Sequence, residues 1–477
     1  MKNTQTHKQS SKETVATGRQ RSYGEIVEYL DARWSEEYKD NSLNTIKQLD
    51  KTYDHVSQKV DTILITGTNG KSLTAHFTAK LLQAENLSVG TLYAPHILTY
   101  NERISLNNES ITNKLFTDLG NDVINTAELL NLNPHATDIL TMMALLYFKN
   151  NTVDVVLLET HEDAQDPVFI CKPKIVAVTR ITGPSVKKDQ NTQNKETEEL
   201  ISIALQTVQK DSYVISADQS KLNLQTMQAV ATQRGGTWAM PIRKLAALAY
   251  PYEQLYGRCA ALAERAASIY INTFANKKAT LVTESLLTKT KGQRGRPTLD
   301  EKKRQLENPK ETVDQFWKKT CSTLPARFQI LDKEKPTILL DTASNLDAFE
   351  NILLGIRLLH YQRSLKGLAI ILGCANETLD MTEFVKLFRY FFKKTSGNVI
   401  VCPVSKLPGH RGTKSWDVEK VTNALKEMKI KATAAKNLDE AFDIAKQLVD
   451  ERHGFMVIAG SPSIVTEYWR SKGIKKL

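Results

Sequence analysis

The chain alternates short, continuous apolar runs with longer stretches of helical period. "DTILITG" (Asp61–Gly67), "LSVGTLYAP" (Leu87–Pro95), "VDVVLLE" (Val153–Glu159), "KPKIVAVTRIT" (Lys172–Thr182) and "SYVISA" (Ser212–Ala217) read as buried strands. Between them, Thr74–Leu82, "HATDILTMMALLYFKNN" from His135, "KETEELISIALQTVQ" from Lys195 and Glu253–Phe274 carry the i, i+3, i+4 spacing of helices. A short amphipathic helix is expected over Ser22–Trp34, and an irregular polar loop over "NERISLNNESIT" (Asn101–Thr112). Continuous apolar strands alternating with helices predict an α/β protein whose mostly parallel sheet is covered on both faces.

The pattern lapses between residues 284 and 323, where "KGQRGRPTLDEKKRQ" and its neighbours are charged and poor in core residues. It resumes in "PTILLDTASNLDAFENILLGIRLLHY" (Pro336–Tyr361), "LKGLAIILGCAN", "GNVIVCPVSK" and "GFMVIAGSPSIVTEYWR". The expected organisation is a polar tail (1–20), a nucleotide-binding domain (21–283), a charged insertion or linker (284–323) and a smaller C-terminal α/β, Rossmann-like domain (324–477). A length of 477 residues is too great for one ordinary core and agrees with two domains.

Composition changes this picture little. Hydrophobic residues make up 41% and charged residues 25%, as in soluble globular proteins. No apolar run is long enough for a membrane span, and the polar N-terminus lacks the apolar core of a secretory signal. The five cysteines (Cys171, Cys259, Cys321, Cys374, Cys402) are scattered and never in CxxC spacing, which argues against zinc or a disulfide framework and for a reducing compartment, expected to be the cytoplasm. A net charge of +11 suits anionic ligands. "GQRGRP" (Gly292–Pro297) has the spelling of a minor-groove hook, but a solvated, basic, turn-rich linker is the expected reading, and nucleic acid is not the expected partner.

The chemistry is concentrated in "ILITGTNGKSLTAHFTAKLL" (Ile63–Leu82). A strand enters a turn containing Gly67, Thr68, Asn69 and Gly70, meets Lys71 and Ser72, and continues as a helix. Backbone N–H groups of such a turn converge on phosphate oxygens, the lysine adds a point charge, and the adjacent hydroxyl can bind Mg²⁺. The alternative is a Gly-Asn turn before a helix with a surface lysine. Glu159 ends its strand on the same edge of the sheet and is the candidate carboxylate partner of the metal, or a solvent-facing acid. His96 sits in the loop after the second strand, as a cleft residue or a packed one. "PGHRG" (Pro408–Gly412) reads as a solvent-facing loop.

Taken together, "TGTNGKS", "APHILTYNERI", "DILTMMALLYF" with "VDVVLLE", "LPARFQIL", "ILLDTASNLDA" and "VIAGSPSIVTE" resemble, in this order, the elements of folylpolyglutamate and dihydrofolate synthases of the Mur ligase superfamily. The resemblance implies a P-loop, parallel-sheet ATPase domain followed by a smaller α/β domain. It implies ATP and Mg²⁺ as cofactors, with glutamate and a folate-like acid as ligands, in a protein expected to be a monomer. The implied reaction phosphorylates a carboxylate with ATP and passes the acyl group to the amine of glutamate. Carried over by motif, Lys71 holds phosphates, Ser72 and Glu159 bind magnesium, and Arg327 and Asp341 close over the nucleotide. His96, Asn101, Glu102 and Arg103 belong to the loop that borders the acid substrate. A hinge is expected near residues 321–326.

The chain also departs from the family pattern. The glycine-rich stretch after the family's VLE reads "THEDAQDPVFI" here; Ser185 and Thr207 stand where a histidine and a modified lysine hold a second metal; Cys259, Ala260 and Ala263 replace H-Q-x-x-N; and Ser344 and Leu346 replace the histidine and proline of D-G-A-H-N-P. Glu162, Asp163 and Asp166 are nearby acids that could rebuild a second cation site. The competing reading is therefore a nucleotide-binding relative that has lost ligation, with a regulatory or structural role.

Overall fold

The computed structural model describes residues 18–34, 43–161, 164–183, 190–240, 245–275, 279–281, 312–320, 324–363, 365–375, 379–409 and 415–477. The polar tail up to residue 17, Glu162, Asp163, Ser185, the Gly292–Pro297 motif and residues 321–323 of the expected hinge lie outside them.

Two sheets carry the chain. The first contains β1 (Thr62–Thr66), β2 (Val89–Leu92), β3 (Ile104–Leu106), β4 (Glu109–Ser110), β5 (Val155–Glu159), β6 (Ile175–Val178), β7 (Tyr213–Ser216) and β8 (Thr237–Trp238), in the order β4-β3-β2-β5-β1-β6-β7-β8. Its central pairings are parallel; β1 lies between β5 and β6, with Ile65 beside both Glu159 and Ala177. The continuous apolar strands are buried along their length because helices cover both faces. The stretch Asn101–Thr112, expected to be irregular, instead forms a single helical turn (Tyr100–Arg103) and the antiparallel strands β3 and β4. Asn107 and Asn108 supply the left-handed backbone (φ 52° and 65°) that turns this hairpin, a geometry their short polar side chains tolerate.

The second sheet contains β9 (Gln329–Leu331), β10 (Thr337–Leu340), β11 (Leu368–Leu372), β12 (Asn398–Val401), β13 (Ala432–Ala434) and β14 (Phe455–Ala459), ordered β13-β12-β11-β14-β10-β9. It is parallel except for β9, which runs antiparallel on one edge. Within the stretch expected to be a charged linker, Val313–Lys319 forms a helix capped by Thr312 and Gln315, and its Trp317 is fully buried edge-on against Phe77 of the first domain, 5.2 Å between ring centres. The periodicity "VDQFW" carried that signal, masked by the charge on either side.

Among the described residues no helix is long and apolar enough to cross a membrane.

Candidate functional site: a cleft between two β-edges

β1 delivers the chain to Gly67, and the helix Lys71–Ala84 departs directly behind Gly70. Both glycines have positive φ, +118° and +90°. A Cβ at Gly67 would stand 2.4 Å from Thr179 Oγ1 and 2.9 Å from the Arg180 carbonyl oxygen, and a Cβ at Gly70 would stand 2.7 Å from Cys259 Sγ. Only glycine fits both the backbone and the space. The first-turn N–H groups of the following helix have no intrahelical acceptors and face the turn, as an anion cradle requires.

Lys71 is nearly buried, and its Nζ donates to the carbonyl oxygens of Gly67 (2.6 Å) and Thr68 (3.2 Å), which fold it back over the cradle. Beside it, Ser72 Oγ donates to Glu159 Oε1 at 2.8 Å. Glu159 is only 2% exposed, and its Oε2 has no hydrogen-bond partner. A buried carboxylate oxygen with nothing to accept from is costly unless a cation completes it. The Ser72–Glu159 pair therefore fits a hard divalent cation, with hydroxyl and carboxylate oxygens as its protein ligands.

The opposite wall comes from the second domain. Arg327 lies between Ala326 (φ 59°) and Phe328 (φ 44°), two non-glycine residues held in the left-handed region. That backbone is fastened by Phe328 N to Asp341 Oδ2 (2.7 Å) and Thr342 N to the Ala326 carbonyl (3.1 Å). The Arg327 guanidinium bonds Thr342 Oγ1 at the cleft surface. Asp341, at the end of β10, also accepts from Ala343 N (2.7 Å). Burial pushes its carboxyl up to about 6, against the opposing effect of the Phe328 N–H and the Arg327 charge.

Three residue pairs join the walls directly. Asn69 and Asn345 exchange side-chain amide bonds (3.1 and 3.0 Å), and Asn69 Nδ2 also reaches Asp347 Oδ2 (2.8 Å). Asp347 Oδ1 pairs with Arg180, which follows β6. Sequence reasoning had not singled out Arg180, Asn345 or Asp347 as site residues; their only signal was position at the carboxyl ends of β6 and β10. The cleft so enclosed has a volume of about 1400 Å³ and is lined by Gly70, Lys71, Ser72, Glu159, Arg327 and Asp341, among others. It exceeds the roughly 300–1,000 Å³ of a pocket for a single drug-sized ligand.

The substrate-loop candidates are placed differently. Ala94 and Pro95 line the cleft, but His96, Asn101, Glu102 and Arg103 build the loop behind it. Glu102 accepts from the backbone N–H groups of Ile97, Leu98 and Thr99, and Asn101 bonds Tyr23, Ile111 and Asn113. His96 is the packed alternative: its ring lies against Tyr100, 4.5 Å between centres, and Nδ1 accepts from Arg103 Nε. Arg103 is 1% exposed, stacked on Trp34, and bonded to His161 and the Gly409 carbonyl. Of Pro408–Gly412, Pro408 is exposed as expected, whereas Gly409 is buried and its carbonyl oxygen accepts from Arg103; the remaining residues lie outside the described ones.

Of the acids expected to rebuild a second cation site, Glu162 and Asp163 lie outside the described residues. Among the described residues no group of three or more His, Cys, Asp or Glu side chains could hold a metal. Asp166 is engaged by the backbone N–H groups of His161 and Val168.

No family model matches the chain. By sequence it is 34% identical over 145 residues to a dihydrofolate synthase/folylpolyglutamate synthase of Bacillus subtilis, a match covering 29% of this chain and 34% of that relative. A match to the Lacticaseibacillus casei folylpolyglutamate synthase has 29% identity over 125 residues and covers 29% of it. The sequence matches thus span about a third of these relatives' length. By structure, folylpolyglutamate synthase of Mycobacterium tuberculosis, solved with ADP and AMPPCP, superposes with a TM-score of 0.72 over 94% of this chain and 98% of that one, at 17% identity. The bifunctional enzyme of Yersinia pestis, solved with AMPPNP and Mn, gives 0.69 over 97% and 100%, at 16% identity. Over nearly its whole length the chain shares the fold of these folylpolyglutamate and dihydrofolate synthases, and over the matched segment it is similar to them in sequence.

Proposed function

We propose that the protein is an ATP-dependent acid–amino-acid ligase, joining glutamate to a folate-like acid. The observation that carries this reading is the pairing of Ser72 with a half-satisfied Glu159 beside the Lys71 cradle, facing Arg327 and Asp341 across one cleft. The relatives solved with ATP analogues and Mn support it.

In this reading the cradle and Lys71 hold the triphosphate, and Asp341 and Arg327 fix the nucleotide from the second domain. Mg²⁺ held by Ser72 and Glu159 would neutralise charge on the transferring oxygens. An oxygen of the acid's carboxylate attacks the γ-phosphorus as the bond to the β-bridging oxygen breaks, giving an acyl phosphate and ADP. The amine nitrogen of glutamate, having lost a proton to solvent or a base, then attacks the acyl carbon; the C–O bond breaks and phosphate leaves. Lys71 and Arg327 stabilise the charge that builds on the phosphoryl oxygens, and wall closure excludes water from the acyl phosphate.

The test is ADP release by the purified full chain with ATP, Mg²⁺, glutamate and either dihydropteroate or a reduced folate. Substrate-dependent release that Lys71→Ala abolishes supports the reading. Nucleotide binding with no turnover across several acid and amine pairs overturns it in favour of a non-ligating nucleotide-binding protein.

A further inference from the structure

We propose that Arg180 is an anion-binding residue of the cleft, placed to take the terminal phosphoryl group of the nucleotide in place of a second divalent cation. The proposal rests on the nucleotide reading above, though not on which acid or amine is joined.

Three observations lead to it. Among the described residues the cleft presents Ser72 and Glu159 as a pair of hard oxygen ligands, and no group of three or more His, Cys, Asp or Glu side chains stands in it. Magnesium demands near-octahedral oxygen coordination, and Thr207, whose buried hydroxyl has no partner, is one neutral oxygen and no substitute for a ligand set. Cationic side chains that line the cleft can supply further positive charge to the developing transition state.

Arg180 is built into the cradle. Its carbonyl oxygen accepts from Thr68 N at 2.6 Å, and its backbone N and O crowd the face of Gly67. Its position thus follows the phosphate loop rather than a mobile surface. Its side chain is 47% exposed, lines the cleft, and is reachable by a ligand.

The guanidinium already holds an anion. Asp347 of the opposite wall presents one carboxylate oxygen to Arg180 and the other to Asn69 of the phosphate loop. A carboxylate bridging a loop amide and a guanidinium occupies the relation a phosphoryl group would take, since both anions suit the planar fork of arginine. Asp347 is thus a placeholder that a bound phosphate displaces.

The test measures binding, so it does not depend on turnover. Affinities of the full chain for Mg²⁺ with AMPPNP and for Mg²⁺ with ADP are compared by calorimetry, and bound Mn²⁺ is counted by electron paramagnetic resonance with AMPPNP. The wild-type chain is expected to bind one Mn²⁺. Arg180→Ala is expected to weaken AMPPNP about tenfold or more and ADP less than about threefold, with Arg180→Lys in between. Asp347→Asn, which removes the competing anion, is expected to keep or tighten AMPPNP binding. Two Mn²⁺ ions of similar affinity, equal losses for both nucleotides, or no loss in Arg180→Ala overturn the proposal. So does a loss in Asp347→Asn matching that of Arg180→Ala, which assigns Arg180 to the joining of the walls. Failure of the wild type to bind either nucleotide overturns the nucleotide reading and this inference together. Selective loss of AMPPNP binding in a chain that makes no amide upholds Arg180 and overturns only the ligase reading.

Discussion

Ser72 Oγ donates to Glu159 Oε1 at 2.8 Å, joining the helix behind β1 to the end of β5, and leaves Glu159 Oε2 buried with no partner. The two residues are far apart in sequence and meet because β1 and β5 are parallel neighbours ending on the same edge. Removing the charge should remove the cation: Glu159→Gln is expected to weaken Mn²⁺ binding in the presence of AMPPNP by about 10-fold or more. Titration followed by electron paramagnetic resonance reads this directly; unchanged affinity would place the metal elsewhere.

Lys71 Nζ spends its hydrogen bonds on the Gly67 and Thr68 carbonyls, so its truncation is felt by ligand more than by fold. Lys71→Ala is expected to cost no more than about 3 kcal/mol of stability, the scale of a hydrogen bond to a charged group. ADP release should fall by about 10²-fold or more, the scale of a lost transition-state donor. Urea unfolding and a coupled ADP assay check the two halves separately.

Gly70 and Cys259 form a coupled pair. Gly70→Ala adds a Cβ 2.7 Å from Cys259 Sγ at a φ of +90°. A loss of about 1–3 kcal/mol is expected, from strain at positive φ plus the contact. Cys259→Ala in the same chain should recover the contact share and leave the φ share, giving a non-zero coupling in a double-mutant cycle. Strict additivity would show that backbone strain alone matters.

Asp341 predicts a pH dependence. Its folded value, about 6, lies above the ordinary value of 3.8 because burial disfavours its charged form. The native chain therefore binds more protons than the unfolded chain between these values, and stability falls as pH rises through this window. The contribution is fully present below about 3.8 and lost above about 6. Asp341→Asn should flatten the urea midpoint between pH 4 and 6, whereas an unaltered slope would exclude Asp341 as its source.

Arg103 links the two domains away from the nucleotide. Its guanidinium bonds His96, His161 and the Gly409 carbonyl and stacks on Trp34. Arg103→Ala takes the guanidinium donor from the buried Gly409 carbonyl and removes the stacking on Trp34, and a loss of about 2–4 kcal/mol is expected. Hydrogen exchange should show the backbone around Gly409 opening faster in the variant. If exchange there is unchanged, the loop docks without Arg103.

By itself the sequence determined the elements whose signals are local. β1, β5, β6 and β10 are continuous apolar runs, and Gly67 and Gly70 announce a turn that few other residues can make. The pairing of Ser72 with Glu159 could be expected because strand order in such sheets brings loop ends to one edge. The hairpin at Ile104–Ser110 stayed hidden because its strands are too short for a period. The burial of Trp317 stayed hidden because flanking charge outweighed one apolar turn. Only the tertiary structure decided the partnerships across the cleft: Asn69 with Asn345, Arg180 with Asp347, and Arg103 with Gly409. Those contacts join residues separated by well over a hundred positions, and they follow from how two domains pack, which the local periodicity of either domain does not encode.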